Sequence, residues 1–192
     1  MTATETTYAP AMKLRYQETV IPEMQAQFNY KNKMQVPRLT KIVVNMGVGE
    51  GSRDAKVLQR AEEDLALITG QKPRRNLARV SVSAFKVRQG MPVGCSVTLR
   101  GSYMYEFLER LIAIAIPRIR DFRGLNPKGF DGKGNYNTGL KEHQIFLELD
   151  FSKEIIPLGM DLAFVTTAKT DAECKALLKC FGLPMRDADA RS

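Results

Sequence analysis

Apolar residues recur every three or four positions in four segments of the chain, and this spacing places them on one side of an α-helix. The segments are 13–28, 54–69, 102–116 and 171–181. Proline lacks a backbone N–H, so Pro22 predicts a distortion inside the first helix and Pro117 an interruption or end of the third. In the second helix, Ser52 or Asp54 is expected to cap the N-terminus, and Gly70 follows the last residue as a helix-ending glycine. The pattern predicts four amphipathic helices.

Other segments alternate apolar and polar residues, as half-buried β-strands do. Strands are predicted at 38–46, 85–88, 95–100, 144–151 and 162–167, with a turn at 90–94. The core-facing residues are expected to be Ile42, Val44, Met46, Phe85, Val87, Cys95, Val97 and Leu99. The opposite face then carries Lys86, Arg88, Ser96, Thr98 and Arg100. Segment 74–83 has little apolar anchoring and is predicted to form a projecting basic loop.

The order of these elements is typical of an α+β fold, an antiparallel sheet with helices packed on one face and projecting basic loops. We expect a single domain at 13–184, a flexible N-terminal extension at 1–12 and a C-terminal tail at 185–192. Of all residues, 44% are hydrophobic and 26% are charged, a composition that can supply both a core and a soluble surface.

Charge is distributed unevenly along the chain. From Leu65 to Tyr105 there is no Asp or Glu, and the seven Lys and Arg residues there supply most of the formal net charge of +8. Such a stretch indicates a polyanionic partner, although a chance fluctuation of composition, an acidic protein or a membrane surface would also fit. No apolar run approaches the about 18 residues that span a bilayer, and no signal peptide is visible, so we expect a cytosolic protein without a membrane partner.

The residues most often used for catalysis and metal binding are scarce. Cys95, Cys174 and Cys180 form no C-x-x-C pair and are interpreted as core thiols. A zinc site built from them and His143 has no familiar ligand spacing. Because His143 is the only histidine, most general acid/base chemistry is disfavoured, and it is interpreted as a polar strand residue. We expect no cofactor.

Three further motifs have competing interpretations. The glycine-rich run at 45–51 lacks the dinucleotide and P-loop signatures and is more simply a sharp strand-to-helix turn. Glu62 and Glu63 are either a solvated helix face or a catalytic carboxylate pair. Five aromatic residues interleave with Arg and Lys and either stack on bases or pack in the core. They are Tyr103, Tyr105, Phe122, Phe130 and Tyr136.

Several motifs in fixed order resemble those of one known family. They are Val-Pro-Arg at 36–38, Asn-Met-Gly-Val-Gly-Glu at 45–50, Thr-Gly-Gln-Lys-Pro at 69–73, Phe-Lys-Val-Arg-Gln-Gly at 85–90, Val-Thr-Leu-Arg-Gly at 97–101, Pro-Arg-Ile-Arg-Asp-Phe-Arg-Gly-Leu at 117–125 and Phe-Asp-Gly-Lys-Gly-Asn-Tyr at 130–136. Over residues 13–184 the chain resembles bacterial large-subunit ribosomal protein five. The resemblance implies a non-catalytic protein of the central protuberance that binds 5S rRNA.

The same resemblance implies particular contacts. The 5S rRNA surface, together with the polar sheet face, is expected at Asn45, Gly47, Gln71, Lys72, Lys86, Arg88, Ser96, Thr98 and Arg100. A loop facing P-site tRNA is expected at Arg74, Arg75, Arg79, Val80, Ser81, Val82 and Ser83, with Val80 where the family commonly has lysine. A bridge to a small-subunit head protein is expected around Arg123, Lys128, Phe130, Lys133 and Tyr136. Further implied partners are 23S rRNA and other 5S rRNA-binding ribosomal proteins.

Two functions of other classes stay open at this point. One is an RNA-processing enzyme whose basic face delivers substrate to Glu62 and Glu63. The other is an adaptor that binds proteins through its glycine-rich loops.

Overall fold

The computed structural model describes residues 9–49, 55–149 and 157–186. The sheet that these residues form has five strands: β1 (Leu39–Gly47), β2 (Arg74–Leu77), β3 (Pro92–Leu99), β4 (Tyr136–Leu140) and β5 (Met160–Thr166). Their spatial order is β2-β3-β1-β5-β4, and each neighbouring pair is antiparallel. The predicted α+β class with an antiparallel sheet is confirmed.

The predicted helices are present. Helix α1 consists of Ala11–Arg15, a wide π-helical segment Tyr16–Val20 and Ile21–Phe28. Helix α2 is Ala55–Thr69 and helix α4 is Asp171–Phe181. Helix α3 consists of Gly101–Arg110, the π-helical Leu111–Ala115 and a final 3-10 turn, Ile116–Arg118. The expected cap of α2 at Ser52 or Asp54 lies outside the described residues.

Both prolines in the helical segments follow a π-helical turn. Pro22 comes two residues after Tyr16–Val20, and Pro117 comes two residues after Leu111–Ala115. A proline ring clashes with the carbonyl one turn earlier and offers no N–H to it, and a wider turn accommodates both effects. This explains why α1 continues to Phe28 although it contains Pro22.

One face of the sheet carries the core and is covered by the helices. The sheet residues predicted to face inward at 42–46 and 95–99 are indeed buried there. Helix α2 adds Leu58, Ala61, Leu65 and Ile68, and α4 adds Cys174, Leu177, Leu178 and Phe181. All belong to a single hydrophobic cluster. The opposite face of the sheet is therefore left to solvent and ligands.

The predicted loop at 74–83 is wrong in its first part, because Arg74–Leu77 forms edge strand β2 against β3. The predicted strand at 85–88 is also wrong. Phe85 ends a 3-10 turn, Ser83–Phe85, Lys86 follows in a left-handed conformation, and only Val87 pairs, in an isolated bridge with Val82. Strand β3 begins at Pro92, inside the predicted turn at 90–94.

The strand predicted at 144–151 is not found in its described part. His143–Ile145 forms a 3-10 turn there, and Ile145, Phe146 and Leu149 reach the core without joining the sheet. Its last two residues, 150 and 151, lie outside the described residues. The segment is buried in part, as its apolar residues indicated, but not in strand alternation, because Phe146 is buried and Leu147 is exposed.

At the chain ends, α1 begins at Ala11, and Met12 is already buried. Met185 pairs with Leu125 in an isolated bridge. The remainder of the predicted extension and tail, 1–8 and 187–192, lies outside the described residues. Across the described part of the chain, no helix combines the length and the apolar character needed to cross a bilayer.

Candidate nucleic-acid interface

The uncovered face of the sheet brings together polar residues from three adjacent strands. Residues paired across antiparallel strands point to the same side. Asn45 of β1 pairs with Ser96 of β3, which pairs with Arg74 of β2, and Val43 pairs with Thr98. These side chains are exposed or half-buried, in contrast to the buried residues between them. The structure thus joins the predicted residues Asn45, Ser96 and Thr98 on one surface, called here the open face.

A hydrogen-bonded row of side chains crosses the open face. The Asn76 Nδ2 group donates to Asn45 Oδ1 at 3.2 Å, and the Ser96 hydroxyl donates to Asn76 Oδ1 at 3.1 Å. Asn76 therefore links all three strands from the middle of β2. Because Asn45 Oδ1 accepts from Asn76, the Nδ2 end of the Asn45 amide is the end that a ligand can meet.

The two arginines of β2 point to opposite faces. Arg74 is paired with Ser96 and lies on the open face, whereas Arg75 is paired with the buried Cys95 and reaches the helical side. There the Arg75 guanidinium forms two hydrogen bonds with the Glu62 carboxylate, at 2.5 and 2.9 Å, and this contact raises the pKa of Arg75. The structure therefore places neither arginine in a projecting loop, and Arg75 is already paired.

Four of the other predicted residues lie at the ends of elements that border the open face. Gln71 and Lys72 are exposed directly after α2, where Gly70 takes a φ of 67°. Arg100 is exposed at the end of β3, and Gly47 at the end of β1. Asp161 of β5 pairs with Asn45 and is exposed on the same face. Among the described residues, the acid-free part of the face is therefore limited to β2, β3 and β1.

Beyond β2 and β3 the chain extends as a hairpin tip, defined here as residues 79–90. It begins where Ala78 N donates to Met91 O at 2.8 Å and Gly90 N to Ala78 O at 2.9 Å. Farther out, Val82 and Val87 exchange two backbone hydrogen bonds of 2.9 and 3.2 Å. The predicted tRNA-facing residues at 79–83 lie on this tip, and so do Lys86 and Arg88, which were predicted on the sheet.

The second basic loop, residues 118–135, is held to the body of the protein. Asp171 at the start of α4 accepts from Gly132 N at 3.2 Å and from Gly134 N at 3.1 Å. Gly134 has a φ of 80°, and a Cβ there would lie 2.4 Å from Ala168 O, so the close approach requires glycine. Hydrogen bonds from Asn135 and Lys133 lower the pKa of the Asp131 carboxyl. Asp131 therefore organises the turn.

The aromatic residues of this region are structural. Tyr136 is fully buried, its hydroxyl donates to Asn126 O at 2.9 Å, and burial raises its pKa. Its ring centroid lies 4.8 Å from that of the half-buried Phe130. Of the predicted bridge residues, only Arg123, Lys128 and Lys133 are exposed. Tyr136 cannot contact a partner directly, because its side chain is enclosed by the core.

A cleft of about 790 Å³ opens between the second basic loop and the free edge of β4. Its basic lining residues are Arg118, Arg120, Arg123, Lys141 and Arg186, and its acidic ones are Asp121 and Glu142. The excess of cations makes the cleft attractive to an acidic segment or a phosphate.

Most of the chain matches known proteins. Residues 32–88 match the family model described as ribosomal protein L5, and residues 92–185 match the model that describes the C-terminus of the same ribosomal family. The large ribosomal subunit protein uL5 of Methylococcus capsulatus (strain Bath) is 59% identical over 171 residues, which is 89% of this chain and 96% of that protein. The chain belongs to the uL5 family.

Other uL5 proteins match at similar levels. The protein of Thermus aquaticus is 55% identical over 92% of this chain and 97% of its own length. That of Nocardia farcinica is 54% identical over 97% of this chain and 100% of its own length. As a uL5 family member, the chain is a structural constituent of the large ribosomal subunit, located in bacterial ribosomes, and not an enzyme.

The residues considered for chemistry have structural roles in this uL5 protein. Glu62 binds Arg75, and Glu63 accepts from Gln59 at 3.1 Å, so the carboxylate pair is engaged on α2. Burial raises the pKa of Cys95 to about 11 and that of Cys174 to about 12. Within the described ranges, no group of three or more His, Cys, Asp or Glu side chains is arranged to hold a metal ion.

Two residues of interest in this uL5 chain were missed by the sequence patterns. Asn76 sits in a segment without apolar alternation, and only the pairing of β2 with β3 brings it to the open face. Phe85 was predicted in the core, yet it is 75% exposed. The available sign of its exposure was its position between Ala84 and Lys86 in an acid-free stretch.

Proposed function

We propose that this uL5 protein binds 5S rRNA through the open face and helps attach it in the central protuberance. The observation that carries the proposal is the acid-free, uncovered surface of β2, β3 and β1 within the described chain. Arg74, Arg100 and Lys41, which lies on the same side of β1 as Val43 and Asn45, can neutralise phosphates. Asn45, Ser96 and Thr98 offer amide and hydroxyl groups to sugars and base edges. A rigid sheet backed by a continuous core suits recognition of one folded RNA.

We infer that the hairpin tip contacts P-site tRNA. Its exposed Arg79, Lys86 and Arg88 supply positive charge, and its paired backbone keeps the tip extended beyond the sheet. The proposed tRNA contact is therefore residues 79–90, in place of the 74–83 expected from the sequence. Arg74 is now assigned to the 5S rRNA surface, and Lys86 and Arg88 are assigned to the tRNA contact.

We infer that the second basic loop and its cleft contact a small-subunit head protein. The exposed Arg123, Lys128 and Lys133 and the cationic cleft favour an acidic segment of that partner. The binding of this partner by the isolated protein should survive ribonuclease, whereas loss of binding after ribonuclease would contradict a direct protein contact. Contacts with 23S rRNA and with other 5S rRNA-binding proteins complete the proposed set of partners.

The proposed 5S rRNA site is tested by changing Thr98→Ala together with Arg100→Ala. We expect affinity for 5S rRNA to fall by about tenfold or more, because a phosphate contact and a hydroxyl contact are lost. The slope of log affinity against log salt should also decrease by about 1. Gel-shift titrations at several salt concentrations measure both quantities.

The matched control is Lys13→Ala with Thr19→Ala, which removes one positive charge and one threonine from the exposed side of α1. This variant should bind 5S rRNA like the wild type. Equal affinity of the wild type for 5S rRNA and for an unrelated structured RNA would overturn the proposal.

A further inference from the structure

Phe85 is held at the apex of the hairpin tip with its ring in solvent. It is 75% exposed, whereas every other phenylalanine in the described residues is buried or half-buried. It ends the 3-10 turn Ser83–Phe85, and Lys86 then takes a φ of 55°, which is uncommon for a residue with a side chain. The chain reverses directly after Phe85.

The apex is ordered by its own hydrogen bonds. Lys86 N donates to Ser83 O at 3.0 Å, and Gln89 N donates to the Ser81 hydroxyl at 2.8 Å. The Val82–Val87 bridge closes the turn immediately below. The ring is therefore presented by a defined backbone, which reduces the conformational entropy lost when a ligand binds.

The surroundings of the ring indicate what it contacts. Arg79, Lys86 and Arg88 accompany it on the tip, and the nearest acidic residues in sequence are Asp64 and Glu106. An exposed aromatic ring among cations, with no carboxylate, combines the two features that bind RNA without sequence readout: stacking on a base and neutralisation of phosphates. A neutral or basic protein partner would use the ring but gain nothing from the missing acids, whereas RNA uses both features.

We propose that Phe85 is a base-stacking residue, whose ring packs on an unstacked base or an exposed terminal base pair of a folded RNA. The inference rests on the proposed RNA-binding function and adds to it a contact residue and a mode of contact. Transfer RNA and 5S rRNA both offer such base faces, and the experiment distinguishes them.

The chain contains no tryptophan, so Phe85→Trp introduces a single indole reporter. Base stacking should quench its fluorescence when purified tRNA or 5S rRNA is added, and the RNA that quenches identifies the ligand. The matched control is Met34→Trp, because Met34 is 84% exposed in a turn before β1, whose start lies at the opposite end of the sheet from the tip. The control indole should keep its fluorescence.

Affinity provides the second readout. Phe85→Ala should weaken binding of the quenching RNA by about 5- to 150-fold, the range for loss of one stacked base. Phe85→Tyr should retain binding, whereas Phe85→Leu, apolar but not aromatic, should lose it. All of these variants should keep the wild-type thermal transition, because the side chain is exposed.

Unchanged affinity of Phe85→Ala for both RNAs would overturn the stacking inference while leaving the proposed function intact. Full binding by Phe85→Leu, or an indole that responds only to ribosomal proteins freed of RNA, would overturn it in favour of apolar docking. If the wild type bound neither RNA, the proposed function would fail and the inference with it.

Discussion

Asn76 shows how one side chain can organise a surface assembled from three strands. It accepts from Ser96 and donates to Asn45, so it orients two residues that lie on different strands. A primary amide is suited to this position because it offers a donor and an acceptor at once. We infer that Asn76 acts on 5S rRNA through Asn45, as a positioning residue.

Asn76→Ala is expected to weaken 5S rRNA binding by about fivefold, which corresponds to roughly 1 kcal/mol for one oriented hydrogen bond. If Asn76 acts through Asn45, the double variant Asn45→Ala with Asn76→Ala should bind no more weakly than Asn45→Ala alone. Gel-shift titrations of the three variants measure this. Additive losses would show instead that Asn76 contacts RNA independently.

At the scale of elements, the start of α4 connects three parts of the protein. Thr170 and Glu173 form a capping box, in which the Thr170 hydroxyl accepts from Glu173 N and Glu173 accepts from Thr170 N. Glu173 also accepts from the Tyr30 hydroxyl at 2.7 Å, which ties the segment after α1 to the helix. The neighbouring Asp171 holds the second basic loop.

The Glu173 carboxylate makes this helix start sensitive to acid. Partial burial opposes its ionisation, but hydrogen bonds from Tyr30, Lys169 and Thr170 outweigh burial and lower its pKa below the usual 4.5. A depressed pKa means that the ionised form stabilises the native state above the unfolded pKa, and that this contribution is lost as pH falls through the folded pKa.

Glu173→Gln is therefore expected to lower the free energy of unfolding by up to about 1 kcal/mol at neutral pH, because it removes the negative charge at the helix N-terminus and weakens the charge-assisted hydrogen bonds that Glu173 accepts. The difference from wild type should shrink as pH falls through the lowered pKa of Glu173 in the folded protein, because wild-type Glu173 then also becomes protonated. Urea denaturation at several pH values measures it. Glu18→Gln, on the exposed side of α1, is the control, and a difference independent of pH would contradict the role of ionisation.

At the scale of the whole molecule, the parts that match the two family models share one sheet and one core. Strand β2 belongs to the first matched segment and β3 to the second, and they pair directly. This supports the proposal that residues 13–184 fold as one domain. A second link is buried: His143 Nε2 lies 3.3 Å from Asp64 Oδ2 of α2, and His143 Nδ1 contacts the backbone of Leu158.

His143→Ala is expected to lower the free energy of unfolding by about 2 kcal/mol, because it leaves a cavity and removes partners from Asp64 and Leu158. Asp64→Ala should cost less, since its side chain is partly exposed. The double variant should show a coupling of about 0.5–1 kcal/mol in urea denaturation. Strict additivity would mean that His143 does not act through Asp64.

The sequence by itself determined the helices, the buried residues of β1 and β3 and the family. These features depend on local information: side-chain periodicity decides which residues share a face, and the ordered motifs identify uL5. The distortions of α1 at Pro22 and of α3 at Pro117 were also predicted from the sequence. The inward positions of β1 and β3 followed directly, because alternation has a period of two wherever one face is buried.

Only the tertiary structure decided where the binding residues lie. Strand β2 is polar and exists because β3 offers it an edge, so Arg74 and Asn76 reached the open face through a nonlocal pairing. Phe85 is apolar, yet its short turn has no core within reach, whereas Tyr136, flanked by polar loop residues, is drawn inward by pairing with β5. Burial is set by the neighbours that folding brings together, and for loops and edge strands those neighbours are distant in sequence.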